Sequence, residues 1–333
     1  MKTRKPIIGI TVGDCNGIGP EITLKSIMNA RIRKICTPVL IGPMDVYEFY
    51  AKKLKLPIHL QEIEPVVPTK TARHVPVMNV SPYRVPVITV GKLSEESGRF
   101  SGEAITRAAT FCTNGMLDAM VTSPVSKEAM VLAGYRFPGQ TEMLTSLTKS
   151  TRVAMMLIAG NFRVALATVH VPIKKVSTEL SIQSLTEKIA VVHKSLRRDF
   201  AIHIPKIAIL GLNPHAGENG MIGMEEQNVI LPAIRTFQKK RIRVDGPFPA
   251  DGFFGLHHYR NYDAVVAMYH DQGLIPLKMS GFHQGVNYSA GLNIVRTSPD
   301  HGTAFDIAGK GIANPGSMME AISLAARIVL NRQ

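Results

Sequence analysis

Ala264-Val-Val-Ala-Met-Tyr-His270 is a short apolar run that stops on a histidine. Two others in the chain do the same, Val164-Ala-Leu-Ala-Thr-Val-His170 and Ile207-Ala-Ile-Leu-Gly-Leu-Asn-Pro-His215. Short apolar runs carrying β-branched residues and bounded by Pro or Gly read as buried strands of a parallel sheet. In open α/β sheets, ligands bind beyond the carboxyl ends of such strands. Three imidazoles delivered there by three strands supply the donors of a divalent-metal site with an open position. A lone histidine after a strand is more often a turn or capping residue. The shared placement of His170, His215 and His270 favours the metal site. Imidazoles without a thiolate suit zinc, cobalt, manganese or iron better than calcium. His59, His74, His193, His203, His257, His258 and His283 lack this placement and read as structural or surface residues.

Outward from these runs, strand-like and helix-like stretches alternate almost throughout, which is the pattern of an α/β fold. A chain of 333 residues, 45% hydrophobic and 19% charged, can bury a large core and suggests two lobes. Gly13 to Pro20 reads as a tight turn, with Pro20-Glu21 opening a helix. Further helices are expected over 103–120, where Ile105, Ala108, Cys112 and Met116 share a side, and over 177–195, 225–239 and 317–330. There is no G-x-G-x-x-G opening a helix, no G-x-x-x-x-G-K-[ST] and no H-E-x-x-H, so a standard Rossmann site is not indicated.

No apolar stretch approaches the ~20 residues that span a bilayer. The opening Met1-Lys-Thr-Arg-Lys-Pro6 before Ile7-Ile-Gly-Ile-Thr-Val12 faintly mimics a signal peptide, but it reads better as the lead into a first buried strand. Cys15, Cys36 and Cys112 are odd in number and widely spaced, which points to a reducing cytoplasm without a disulfide framework. Net charge is +14. The basic residues are scattered, there is no Trp, and the cluster Lys239-Lys240-Arg241-Ile242-Arg243 lacks interleaved aromatics. A small anionic substrate therefore fits better than nucleic acid.

Lys278, Asn287 and Arg296 follow His270 in a glycine-rich region. Together they could clamp a phosphate or carboxylate, Arg by a bidentate fork and Lys as a point charge. Solvated surface charges remain the alternative reading. Asp300-His-Gly-Thr-Ala-Phe-Asp-Ile-Ala-Gly-Lys-Gly-Ile-Ala-Asn-Pro315 is a glycine-rich loop entering a helix, with carboxylates that could meet ribose hydroxyls.

That loop resembles the adenosine-binding loop of isopropylmalate and isocitrate dehydrogenases, and Gly17-Ile-Gly-Pro-Glu21 resembles their N-terminal turn. With Gly211-Leu-Asn-Pro-His-Ala-Gly-Glu218, Ala267-Met-Tyr-His-Asp-Gln-Gly273 and Arg296-Thr-Ser-Pro-Asp-His-Gly-Thr303 added, the chain is similar to the 4-hydroxythreonine-4-phosphate dehydrogenase family from about Ile8 onward. The resemblance implies a two-lobed α/β/α fold of the isocitrate/isopropylmalate dehydrogenase type, with the active site in the cleft between lobes. Residues 1–125 plus 285–333 would form the cofactor lobe, and 126–284 the lobe with metal and substrate ligands and dimer contacts.

Further roles follow from the same resemblance. His170, His215 and His270 match the family's metal ligands. Lys278, Asn287 and Arg296 match substrate contacts, as do Gln140 and Thr141 in Gly139-Gln-Thr-Glu142, where the family has Gly-His-Thr-Glu. Gln can hydrogen-bond there but cannot carry a proton at neutral pH, which puts acid–base work at that position, and the choice of substrate, in doubt. His301, Gly302, Asp306 and Asn314 would meet the cofactor. Lys278 and Asp251 are the candidates for proton transfer, although an Asp before Gly is usually a turn residue. The expected cofactors are NAD, with NADP the alternative, and a divalent metal (zinc, cobalt, manganese or magnesium). Asp306 favours NAD because a carboxylate repels a 2′-phosphate.

The implied activity is oxidation of 4-hydroxythreonine 4-phosphate at C3 to a β-keto acid. This would decarboxylate to 3-amino-2-oxopropyl phosphate, in pyridoxal phosphate biosynthesis. Relatives acting on 4-phospho-threonate, 4-phospho-erythronate or aromatic dihydrodiols are the nearest alternatives, and a metal-dependent phosphate-ester hydrolase is the alternative from another class. The family is a cytoplasmic homodimer with its metal site at the subunit interface, with no nucleic-acid or membrane partner.

Overall fold

The computed structural model describes residues 4–64, 74–80, 87–281 and 284–333. Met1–Thr3 of the basic opening and His283 lie outside them. Twelve strands run in chain order: β1 (Ile7–Thr11), β2 (Thr37–Ile41), β3 (Leu60–Glu62), β4 (Val75–Met78), β5 (Ala119–Val121), β6 (Ala154–Ala159), β7 (Phe162–Leu166), β8 (Lys206–Leu210), β9 (Arg243–Phe248), β10 (Ala264–Ala267), β11 (Val286–Ala290) and β12 (Arg296–Pro299). The chain forms two compact units. One holds residues 1–150 and 292–331 with 333, and the other holds 151–291 with Arg332. The divisions fall at 150/151 and 291/292, which puts residues 126–150, expected in the second lobe, in the first unit.

The first unit is built on the strand order β3-β4-β2-β1-β5-β12, with every neighbouring pair parallel. All residues of β1 and β5 are buried, which is why both read as continuous apolar runs without alternation. Beyond β1 the chain makes the expected tight turn and enters the helix Gly19–Met28, with Pro at its start and Glu21 in its first turn.

The helix expected over 103–120 is displaced. It runs Glu95–Thr113 and is capped by Ser94, whose hydroxyl accepts from Ser97 N. Its first turns are Ser- and Gly-rich, which hid them from apolar periodicity. A Cβ on Gly98 would collide with the Ala129 carbonyl, and one on Gly102 with the Tyr135 ring, so small residues here permit close packing. Gly115, at φ +77°, ends the helix before Met116 joins it.

The second unit follows the order β11-β6-β7-β10-β8-β9. The pairs β11/β6 and β6/β7 are antiparallel, while β7/β10, β10/β8 and β8/β9 are parallel. The helix expected over 177–195 is a short piece, Val176–Glu179, followed by Ile182–Arg198, which Ser181 and Ser184 cap reciprocally. The stretch expected over 225–239 opens as one π-turn, Glu226–Ile230, before the α-helix Leu231–Gln238. Among the described residues, no helix is long and apolar enough to cross a membrane.

Candidate active site

In the second unit, β7, β10 and β8 lie side by side and parallel, so their carboxyl ends share one edge. His170 follows β7, His215 follows β8, and His270 begins the helix His270–Gly281 that follows β10. The rings of His170 and His270 stand 6.0 Å apart at 40°. Among the described residues no three His, Cys, Asp or Glu side chains gather closely enough to hold a metal, so His215 does not complete a trio within this chain.

The donor chemistry nevertheless fits a cation. His270 Nδ1 lies 2.7 Å from Asp271 Oδ1. That carboxylate favours the Nδ1–H tautomer and leaves Nε2 as the lone-pair donor, the usual support of a metal-binding histidine. His170 and His215 are exposed, with rings available at the surface.

His215 sits in an uncommon backbone. Residues 215–219 all have positive φ, with His215 at 52° and Ala216 at 51°. Left-handed conformations cost free energy in non-glycine residues and persist where their surroundings over-determine them. The loop wraps the Glu226 carboxylate. Oε1 accepts from the backbone N–H of Leu212 and of Asn213 at 2.7 Å each, and Oε2 from Asn213 Nδ2 at 2.8 Å. Glu226 is 1% exposed. Gln272 then ties two strand ends together: its Oε1 accepts from Met268 N and its Nε2 donates to Gly211 O, both at 2.7 Å. Thr168 Oγ1 donates to Met268 O at 2.7 Å, linking the β7 and β10 ends. Glu226 escaped sequence reading because a Glu pair at a helix start looks like ordinary dipole complementation.

Two more expected residues lie in this unit. Asp251 is exposed in the first turn of the helix Ala250–Gly255, just past β9, whose Phe248 pairs with Leu210 of β8. Lys278 is half-buried in the last turn of the helix that His270 begins. On β11, Asn287 Oδ1 is buried with no hydrogen-bond partner among the described residues. Such atoms are rare and call for a ligand or water.

In the first unit, Arg296 opens β12 and is 2% exposed, so the surface reading of this charge is overturned. Its Nε and Nη2 donate to Thr122 Oγ1 at 3.0 and 2.7 Å, and Nη2 donates to Gln140 Oε1 at 2.9 Å. Burial pushes the guanidinium down to about 10, and the nearby Glu142 carboxylate offsets only part of that. Gln140 and Thr141 begin the helix Gln140–Leu147, so the residue that replaces the family's histidine directly holds the buried arginine.

The 300s loop of the same unit is braced from below. Glu21 is buried. Its Oε1 accepts from Lys25 Nζ at 2.8 Å and Ala313 N at 3.0 Å, and its Oε2 from Gly311 N at 3.3 Å. Lys25 Nζ also donates to the carbonyls of Gly311 and Ala313. Ile18 N donates to Thr303 O, which docks the N-terminal turn on the loop. His301 Nδ1 faces Gly302 O at 3.2 Å while Nε2 is buried and has no hydrogen-bond partner among the described residues, and burial lowers the pKa of the ring. Gly302 and Asp306 are exposed, and Asn314 Oδ1 accepts from Gly316 N at the start of the last helix, Gly316–Arg332.

A mixed α/β chain with histidines at adjacent strand ends and a buried arginine in its other unit has side chains suited to hold a cation and an anion. Residues 34–325 match the family described as Pyridoxal phosphate biosynthetic protein PdxA. The 4-hydroxythreonine-4-phosphate dehydrogenase of Bacteroides thetaiotaomicron is 40% identical, over 100% of this chain and 91% of that protein. The D-threonate 4-phosphate dehydrogenase of Cupriavidus necator is 39% identical, over 100% of both. The crystal structure of 4-hydroxythreonine-4-phosphate dehydrogenase from Klebsiella pneumoniae matches with a TM-score of 0.87 and 37% identity, over 99% of each chain. The chain belongs to the PdxA family and is a dehydrogenase of pyridoxal phosphate biosynthesis.

Proposed function

We propose that the chain oxidises the C3 hydroxyl of 4-hydroxythreonine 4-phosphate, using NAD and a divalent metal, to a β-keto acid that decarboxylates to 3-amino-2-oxopropyl phosphate. The observation that carries this reading is the buried Arg296 guanidinium, held by Thr122 and Gln140, in a chain whose full-length relatives bear that activity as their name. An arginine with its desolvation already incurred can meet an anion through charge-assisted hydrogen bonds that exchange with those it makes to Thr122 and Gln140. Asn287 Oδ1, buried and without a hydrogen-bond partner among the described residues, supplies an acceptor for a substrate N–H or O–H. Lys278 adds positive charge, and its Nζ is the candidate to take the hydroxyl proton, with the Asp251 carboxylate the alternative.

His170, His215 and His270 are the residues to hold the metal, and His301, Gly302, Asp306 and Asn314 those to meet the cofactor. When bound, the cation supplies Lewis acidity at an alcohol oxygen and the nicotinamide accepts hydride. The Asp306 carboxylate selects NAD over NADP, a choice that equal or higher kcat/KM with NADP would overturn. A homodimer is part of the proposal. Met221 and Met279, each 84% exposed, lie near His215 and His270 in the chain, and a second copy covering them would bring its own histidines to complete the metal set.

D-threonate 4-phosphate is the second reading. It is favoured by Gln140, which cannot share a proton as histidine does, and by the relative from Cupriavidus necator. NADH absorbance decides between them. The protein is stripped with chelator, given back zinc, manganese or magnesium, and supplied with NAD and each phosphorylated acid. Metal-dependent NADH formation with higher kcat/KM for 4-hydroxythreonine 4-phosphate supports the first reading. Preference for D-threonate 4-phosphate supports the second, and no NADH from either refutes both.

A further inference from the structure

One buried side chain, Glu226, and one half-buried, Gln272, make hydrogen bonds of opposite character near the histidine edge. Glu226 receives three N–H donors from Leu212 and Asn213, a task that suits an acceptor-only carboxylate. Gln272 gives one hydrogen bond and takes one, bridging Gly211 O beyond β8 and Met268 N beyond β10, a task that suits an amide. Glycines show how tightly the loop is wound: a Cβ on Gly217 would lie 2.5 Å from Glu226 Oε2, and one on Gly211 3.2 Å from Oε1. Asn213 N and Nδ2 are held two residues before His215, and Met268 N two residues before His270. The π-turn that begins at Glu226 is a local irregularity of the sort that collects at functional positions.

We propose that Glu226 and Gln272 are positioning residues for the metal. They set the left-handed loop that carries His215 and the helix start that carries His270, and are themselves not ligands. Both Glu226 oxygens are engaged by the loop, so ligation would require breaking the bonds that shape it. The inference rests on the reading of His170, His215 and His270 as metal ligands, and it holds whichever subunits share an ion.

The test is Co2+ titration of the metal-stripped, full-length protein, read by the d–d absorption band of the bound ion and by Kd, with Tm in chelator as a separate measure of folding. Glu226→Gln puts an N–H against the loop's donors, and Gln272→Glu removes the donor to Gly211. Each is expected to raise the Kd of Co2+ by about 10–100-fold and to alter the band. Asp263→Asn is the control: Asp263 Oδ2 accepts from Lys206 N at 2.8 Å, the same carboxylate-to-backbone bond at the opposite ends of β8 and β10. It should leave Kd and band as in the wild type even if Tm falls. Wild-type Kd and spectrum in both swaps would overturn the inference, as would equal weakening in the Asp263 control. Unchanged Co2+ binding by His215→Ala would instead overturn the metal reading, and the inference with it. Should Glu226→Gln not fold, Gln272→Glu carries the comparison alone.

Discussion

Replacing Arg296 by Met should leave the protein about as stable as before while removing anion binding. Burial that pushes the guanidinium down to about 10 corresponds to about 3 kcal/mol of desolvation cost in the free protein. Against it stand the three bonds to Thr122 Oγ1 and Gln140 Oε1, which at about 1 kcal/mol each return roughly 3 kcal/mol. Methionine has a similar reach and no charge to desolvate, so the two terms cancel and the net change is about 0 kcal/mol. At roughly 2 cal/mol/K per residue, the unfolding entropy of this chain is about 0.7 kcal/mol/K, and Tm should stay within about 2 °C of the wild type. Inorganic phosphate at tenfold its Kd should add about 1.4 kcal/mol, or about 2 °C, to the wild type and nothing to the variant. Thermal unfolding in chelator, with and without phosphate, measures both shifts. A fall of more than about 3 °C without phosphate would show that the arginine is structural. A phosphate shift of equal size in both proteins would show that it is not the anion's ligand.

Glu21→Gln should raise the Kd for NAD about tenfold by loosening the Gly311–Ala313 brace, while the KM for the phosphorylated acid stays unchanged; a change in KM alone would refute the assignment of the 300s loop to the cofactor. Burial alone would raise the pKa of Asp199, but hydrogen bonds from Arg198, Arg332 and Tyr288 outweigh it and hold the carboxyl below its usual range. A depressed folded pKa gives stability that is present above the unfolded value of about 3.9 and lost as pH falls through the folded one. The Tm of Asp199→Asn should therefore drop less between pH 5 and pH 3 than that of the wild type, and parallel curves would count against the network. Gly98→Ala forces a methyl into the Ala129 carbonyl and should cost about 3 kcal/mol, seen as a Tm lower by about 4 °C; an unchanged Tm would mean that the helix Glu95–Thr113 is free to shift.

The strands that carry the histidines were legible because β10 is buried throughout and β7 and β8 are buried except at Arg163 and Lys206, and a strand covered on both faces reads as a nearly continuous apolar run. The turn into Gly19–Met28 was legible for a similar reason: Pro and Glu at a helix start act through the local backbone alone. Helix 95–113 was misplaced because its first turns are written in Ser and Gly, whose value lies in what they let approach. Arg296 is equally suited by its sequence to surface or interior, and nothing in the sequence sets Glu226 apart within the helix expected over 225–239.

Sequence by itself thus determined the α/β class, the histidine-bearing strand ends and the family motifs, all of which depend on neighbours a few residues away. Tertiary structure alone decided that Arg296 is buried against Gln140, 156 residues distant in the chain, and that the His215 loop closes around Glu226. Desolvation and hydrogen-bond partnership are set by whatever the fold brings within about 3 Å, and residue type cannot specify that in advance.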